Sequence, residues 1–264
     1  MSLHQLFCTN EAIAREEGSP FLLGIDAQDR NHVKALRLEV GEHIAVVDAS
    51  SDYFEVEITA LQGEELWVRI AKHLDAPKDT IPVMLVQGLA KGDKMDTVLR
   101  AATELGIAGF YPTEMRRSVV KLDAKKKDKR GSRFAQIARS AALQSGRTTI
   151  PEIGSIRTIA QVAEQFGPHD LVIVFWEEED LTNSVSAFFD SPATRSLLGC
   201  LDRIWIVIGP EGGMSVDEVQ CIEDSEATVA LLSLGPTILR TETAGVVACA
   251  LVLNELRSCA AQVS

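Results

Sequence analysis

Between residues 40 and 72 apolar and polar side chains alternate along the chain. Ile44 and Val46, then Phe54, Val56 and Ile58, then Leu66, Val68 and Ile70 fall on one side, with Glu55, Glu57 and Arg69 among the intervening positions. A period of two is that of a strand with one buried and one wetted face. Ser50-Ser51-Asp52 and Gln62-Gly63-Glu64 separate the runs and read as hairpin turns. The pattern predicts a small antiparallel β-domain, closed as a barrel. Asp75-Ala76-Pro77-Lys78-Asp79 reads as the linker behind it, which places one domain at residues 1–76 and another at 77–264.

Beyond the linker the pattern changes. Residues 83–86, 107–111, 171–176, 203–208 and 229–234 are apolar runs without strict alternation, as expected of strands buried on both faces. Segments of helical period lie between them. In 93–105, Met95, Val98, Leu99, Ala102 and Leu105 share a face, with Asp93 as a capping residue and Gly106 as the stop. A helix over 132–145 would bury Phe134, Ile137, Ala138, Ala141 and Ala142, with Gly146 closing it. Ser215 and Glu218 have capping-box spacing, and a last helix is expected over 242–257. Strand and helix in succession imply an α/β domain whose mostly parallel sheet is covered on both faces.

With 264 residues, 46% of them hydrophobic, the chain can fill two modest cores. No uninterrupted apolar run reaches the roughly 18 residues of a membrane span. Met1-Ser2-Leu3-His4-Gln5 lacks the basic-then-apolar pattern of a secretory signal, so a cytoplasmic protein with no membrane role is expected. Cys8, Cys200, Cys221, Cys249 and Cys259 are odd in number and unclustered, which points to reduced thiols. The five histidines are equally dispersed, so no metal constellation is expected. A net charge of −12 argues against a nucleic-acid partner, but its distribution reverses that argument. From Arg116 to Arg147 there are eleven Lys/Arg against only Asp123 and Asp128. Such a strip can bind phosphates while the acidic remainder repels them. The run from Lys125 to Arg130 by itself would read as a solvated loop.

The chemistry concentrates near the C-terminus. Ile208-Gly209-Pro210-Glu211-Gly212-Gly213 follows one apolar run, and Leu234-Gly235-Pro236-Thr237-Ile238-Leu239-Arg240-Thr241-Glu242-Thr243-Ala244 follows the next. Ligands of parallel sheets collect beyond the carboxyl ends of strands. Two Gly/Pro-rich loops there can form a wall made mostly of backbone. No G-x-G-x-x-G and no G-x-x-x-x-G-K-[ST] occurs, so the usual Rossmann and P-loop routes to a nucleotide are unsupported.

Further motifs join these blocks: His32-Val33-Lys34-Ala35-Leu36-Arg37, Lys91-Gly92-Asp93-Lys94-Met95 within 88–104, and Gln144-Ser145-Gly146-Arg147 with Pro151-Glu152. Together they closely resemble the RsmE family, SPOUT-class methyltransferases that methylate N3 of one uridine in 16S ribosomal RNA. The resemblance covers essentially the whole chain. It implies a PUA-like RNA-binding β-barrel, then a SPOUT α/β domain whose C-terminal chain is tied in a trefoil knot. It also implies S-adenosyl-L-methionine as cofactor, a homodimer, the 16S rRNA or small ribosomal subunit as partner, and no metal.

On that reading Phe175, Trp176, Glu177, Ile208, Gly209, Pro210, Gly213, Leu234, Gly235, Leu239 and Thr241 hold the cofactor. Methyl transfer from a sulfonium requires chiefly alignment. Uracil N3 must also lose a proton, and a cation near O2 or O4 favours the anion. Arg240 is the candidate for that cation. Glu211 or Glu242 would act as base or would orient Arg240, and Glu242 equally fits a helix N-terminal carboxylate. Arg116, Arg117, Lys121 and Arg147 are the expected RNA contacts, and Lys91 and Lys94 face RNA or a second subunit. His32 and Arg37 read as part of a helix packed between barrel strands, with direct RNA contact as the alternative. Thr237 stands where most members carry a basic residue, and Leu143 replaces a common acid, which alters local RNA contacts rather than the cofactor site. Two rivals stay open: ribose 2′-O-methylation by another SPOUT chemistry, and a non-catalytic RNA-binding assembly factor. The polar Arg240-Thr241-Glu242-Thr243-Ala244 block argues against the second.

Overall fold

The computed structural model describes residues 3–16, 18–27, 29–75, 81–177 and 183–261. The centre of the expected linker and the His32 side chain lie outside the described residues. The chain forms two compact units, Met1–Lys78 with Ala142–Thr149, and Asp79–Ala141 with Ile150–Ser264.

The first unit contains strands β1 (His4–Phe7), β2 (Phe21–Leu22), β3 (His43–Val47), β4 (Tyr53–Gln62) and β5 (Glu65–Leu74), with helix α1 (Arg30–Leu36) before β3. The sheet order is β1-β3-β4-β5-β2. The alternating residues form its core: Ile44, Val46, Phe54, Val56, Ile58, Leu66 and Val68 are buried, and Ile70 packs against them half-buried. Cys8 bridges Ile25 beyond the two edge strands, so the sheet closes on itself. It is not wholly antiparallel, because β1 runs parallel to β3. Parallel neighbours need a long crossover, and β2 and α1 lie within this one. The β3–β4 turn is fixed by the buried Asp48 carboxylate, which accepts from the N–H groups of Ser50 (2.9 Å), Asp52 (3.0 Å) and Ile13 (3.0 Å).

The second unit carries β6 (Val83–Gly88), β7 (Gly109–Glu114), β8 (Glu152–Ile153), β9 (Arg157–Thr158), β10 (Asp170–Phe175), β11 (Arg203–Ile208) and β12 (Thr228–Leu232). Its helices are α2 (Lys94–Leu105), α3 (Ala124–Gln144), α4 (Ile159–Ala163), α5 (Val185–Asp190), α6 (Pro192–Leu198), α7 (Val216–Glu223) and α8 (Thr241–Ala261). Every strand pair is parallel, in the order β12-β10-β11-β6-β7-β8, with β9 also beside β7. Alternate residues of the central strands enter opposite cores, as their uninterrupted hydrophobicity requires. Leu85, Ile173 and Ile206 join residues of α2 and α8 on one face; Val86, Val172 and Trp205 join residues of α4 and α7 on the other.

α3 starts at Ala124, ahead of the expected 132, so the lysine run is the opening of a helix and not a loop. The Asp123 carboxylate accepts the Lys126 N–H at 2.9 Å, and the run itself consists mainly of good helix formers. Ile137, expected in the core, is only half-buried. α2 begins after Asp93 as anticipated, but the Asp93 side chain makes no capping bond. At α7 the Ser215 N–H and hydroxyl both donate to the Glu218 carboxylate at 2.9 Å. All five cysteines are unpaired. Burial pushes the Cys8 thiol up to about 11 and that of Cys249 to about 12, so neither is a nucleophile at neutral pH.

The lower end of the sheet is anchored by Asp170, which is 2% exposed. Its carboxylate accepts from Trp205 Nε1 (2.9 Å), from the Gly167 N–H (3.0 Å) and from Arg203 Nε (3.1 Å). Asp170→Ala removes every acceptor of this cluster and should cost about 3 kcal/mol in denaturant unfolding. A loss below about 1 kcal/mol would show the cluster to be dispensable.

Candidate cofactor pocket

The parallel register brings four strand ends into line: Phe175 sits beside Ile208 and Leu232, and Ile208 beside Gln87. The chain leaving β10, the loop after β11 and the loop after β12 enclose a pocket of about 570 Å³. Phe175, Trp176, Glu177, Ile208, Gly209, Pro210, Gly213, Leu234, Gly235, Leu239 and Thr241 all line it, as do Glu211, Arg240 and Lys94. Gly212, Ser233, Pro236, Thr237, Ile238 and Ala244 complete the wall; Ser233, Pro236 and Ala244 carry no signal beyond lying in or beside the motif.

The two loops hold this form because backbone packs on backbone. Gly213 and Gly235 have φ of 71° and 113°, a region that L side chains rarely adopt. A Cβ on Gly88 at the end of β6 would lie 2.8 Å from the Gly209 carbonyl carbon, so only glycine lets β6 pass beneath the loop. Thr241, 5% exposed, then locks the assembly. Its hydroxyl donates to the Gly209 carbonyl at 2.6 Å and accepts from Gln87 Nε2 at 2.8 Å. Gln87 itself was absent from the expected site.

The charged groups are arranged differently from the expectation. Lys94, read as facing RNA or a second subunit, points its Nζ between Glu211 and Glu242, 3.2 Å from each. The Lys91 N–H also donates to Glu211, at 3.1 Å. Partial burial raises the Glu211 carboxyl, but bonds from the Lys91 N–H and its own N–H, with Lys94, outweigh it and hold the group below its ordinary value. Lys94 is in turn raised, by its bonds to Glu242 and Glu211. Arg240 is exposed, and among the described residues no carboxylate pairs with its guanidinium. Neither glutamate therefore orients Arg240, contrary to that alternative: both are engaged with Lys94. Glu242 lies in the first turn of α8, where the helix dipole also favours it.

Of the expected RNA contacts, Arg116 is held by Asp217 (2.7 Å) and its N–H by Glu218 (2.6 Å). Arg117 donates to the Gly212 carbonyl at 3.1 Å, at the back of the pocket loop. Lys121 is exposed. Arg147 belongs to the first unit, where its carbonyl accepts from Gln5 Nε2 and its guanidinium donates to Thr149 Oγ1 at 3.1 Å. No group of His, Cys, Asp and Glu suited to a metal occurs among the described residues.

A glycine-lined pocket at the carboxyl ends of a parallel sheet fits the comparison with known proteins. The family model for an RNA methyltransferase domain matches residues 77–253. Ribosomal RNA small subunit methyltransferase E of Bacillus subtilis is 33% identical over 233 residues, covering 87% of this chain and 88% of that protein. The chain thus belongs to the RNA methyltransferase family, and within it to the relatives of ribosomal RNA small subunit methyltransferase E. Among solved structures, a methyltransferase of Legionella pneumophila in complex with the cofactor SAM superposes with a TM-score of 0.75 at 26% identity, covering 96% of this chain and 97% of that one. The Neisseria gonorrhoeae small subunit methyltransferase E, bound to S-adenosyl methionine, shares the fold with a TM-score of 0.76 at 24% identity, over 94% and 96% of the two chains.

The charge arrangement makes a pH prediction. A lowered Glu211 contributes stability above its ordinary 4.5 that is lost as pH falls through the folded value. A raised Lys94 contributes below its ordinary 10.5 and loses that contribution as pH rises further. The stability gap between wild type and Lys94→Met should therefore persist across that window and narrow outside it on both sides. Carboxyl NMR should show Glu211 titrating higher in Lys94→Met; an unmoved Glu211 would contradict the assignment.

Proposed function

We propose that this protein transfers a methyl group from S-adenosyl-L-methionine to N3 of a uridine in the 16S RNA of the small ribosomal subunit. The observation that carries the reading is the convergence of three strand-end segments on one pocket, with the Arg240 guanidinium in its wall and no carboxylate paired with it among the described residues. The relatives named above act on small-subunit RNA by name, and one solved relative holds SAM. The residues present fit that cofactor. A volume of about 570 Å³ lies in the range of small-molecule sites. Much of the wall is backbone, able to pair with an adenine edge. Trp176, also in the wall, has a buried indole N–H without a partner among the described residues.

The cofactor supplies a methyl group already activated on sulfur. The protein's part is to exclude water, fix the loops and prepare the base. Arg240 stabilises negative charge on the uracil oxygens as N3 loses its proton. Glu211 and Glu242, both 3.2 Å from Lys94 Nζ, are the two candidates for the base. In the second unit Arg116, Arg117 and Lys121 are candidate RNA contacts, and in the first unit Arg147 is another.

The finer architecture follows the same reading. The closed five-stranded sheet of the first unit supports a PUA-like domain ending near residue 76. A trefoil knot of the C-terminal chain rests on the kinship with small subunit methyltransferase E. Thr241–Ala260 has the length and mean hydropathy, 1.3, of a membrane-crossing helix. However, Ala248, Cys249, Val252, Leu253 and Leu256 pack in the core, so we read α8 as a core helix of a cytoplasmic protein. Leu251, 40% exposed on this apolar helix, supports a homodimer formed along it.

The test uses small subunits lacking the modification, incubated with enzyme and cofactor, followed by nucleoside analysis. N3-methyluridine is expected, and a ribose 2′-O-methyl product would overturn the assignment. Arg240→Ala should slow transfer by about 10²-fold or more while leaving cofactor affinity unchanged. Loss of cofactor binding would move Arg240 into the cofactor site.

A further inference from the structure

A second concavity, of about 1010 Å³, lies between α2 and α3. Five cations line it: Arg100 from α2, and Lys126, Lys129, Arg130 and Arg133 from α3. Two are compensated. Arg133 pairs with Asp96, and Lys126 lies 3.1 Å from Asp123. Arg100 and Lys129 are exposed without a carboxylate partner among the described residues. Arg130 has a buried Nη1 with no hydrogen-bond partner at all there.

A lysine-rich helix face is usually only solvated, but two observations argue otherwise. A solvated face would not leave an Arg130 nitrogen both buried and unpaired, since a charged group out of water needs a partner. Arg100 also belongs to a different helix from the lysine run, so the charges converge across a groove, where low-dielectric walls focus their field. Half-buried Leu122 and Ile137 line the same groove and can cover a ribose or base, which a bare anion does not need. Residues 126 to 140 at about 1.5 Å each make the α3 wall roughly 21 Å long, enough for several nucleotides.

The groove also leads to the pocket. Asp93 and Met95 line the groove, and Lys94 between them lines the cofactor pocket, so the first turn of α2 is a wall common to both. We propose that the α2–α3 groove docks the phosphate backbone of the RNA substrate beside the cofactor pocket, with Arg100, Lys129 and Arg130 contacting phosphate oxygens. The proposal rests on the methyl-transfer reading of that pocket for the identity of the RNA.

The experiment measures binding of the full chain to transcribed 16S RNA over a series of potassium chloride concentrations. Arg100→Gln combined with Lys129→Gln changes two exposed side chains, so the fold is retained. Cofactor titration checks that retention and should give the wild-type affinity. Because the double variant no longer neutralises two phosphates of a single strand, the slope of log K against log salt should become shallower by about 1.4. Arg157→Gln with Arg195→Gln removes the same charge outside the groove and should leave the slope unchanged. A wild-type slope in the groove variant overturns the proposal, as does an equal fall in both variants. Weakened binding of inorganic phosphate with an unchanged RNA slope would mark a small-anion site and overturn it as well. Failure of the wild type to methylate small subunits would sink the reading of the pocket alone, because the salt slope is measured without transfer.

Discussion

One hydroxyl holds together three pieces of chain that are remote in sequence. Thr241 opens the last helix, takes a hydrogen bond from Gln87 at the end of β6 and gives one to Gly209 after β11. While this brace stands, the loops after β11 and β12 must lie against each other, and the pocket is the space they leave. The requirement reaches back into the sequence. Gly88 has no side chain because the Gly209–Pro210 backbone runs against it, and Gly245 leaves room for the Gln87 amide behind α8. A parallel sheet supplies aligned strand ends in any such fold. The brace turns those ends into a preorganised site.

Around that frame the charges are separated by task. The two glutamates nearest the loops converge on Lys94, a closed ion cluster that ties the start of α2 to the pocket wall and to α8. Arg240 is left without a carboxylate among the described residues, and an uncompensated guanidinium can act on a ligand's developing charge. The same contrast recurs between α2 and α3, where Arg133 is paired and, among the described residues, no carboxylate pairs with Arg100, Lys129 or Arg130. Acidity over most of the chain, with −12 overall, disfavours phosphates away from its basic segments.

How legible each part was in the sequence depended on the range of the interaction behind it. β11 was readable at 203–208, and both Gly/Pro loops at its end and at that of β12, because burial and φ > 0 mark residues locally. Alternation revealed the inward residues of β3, β4 and β5. The parallel β1–β3 pair was not readable, since four-residue β1 has too little pattern and its partner is decided by a distant crossover. The start of α3 was missed because Lys125 to Arg130 is hydrophilic on every side. Its helicity depends on the Asp123 cap and on Lys127 reaching Glu114 at 2.7 Å. For a similar reason the sequence alone presents Lys94 as a cation facing RNA or a second subunit: Glu211 and Glu242 are more than a hundred residues away. Gln87 was invisible because a buried amide in an apolar strand has no signature until its partner is known.

The central claim is that the braced loops form a cofactor site already in the protein alone. Calorimetric titration of the purified chain with S-adenosyl-L-methionine, beside Thr241→Val, tests it most directly. The account predicts saturable binding at one site per chain in the wild type and weaker binding when the brace is cut. Absence of binding to the wild-type protein, or equal affinity in the two, would contradict it.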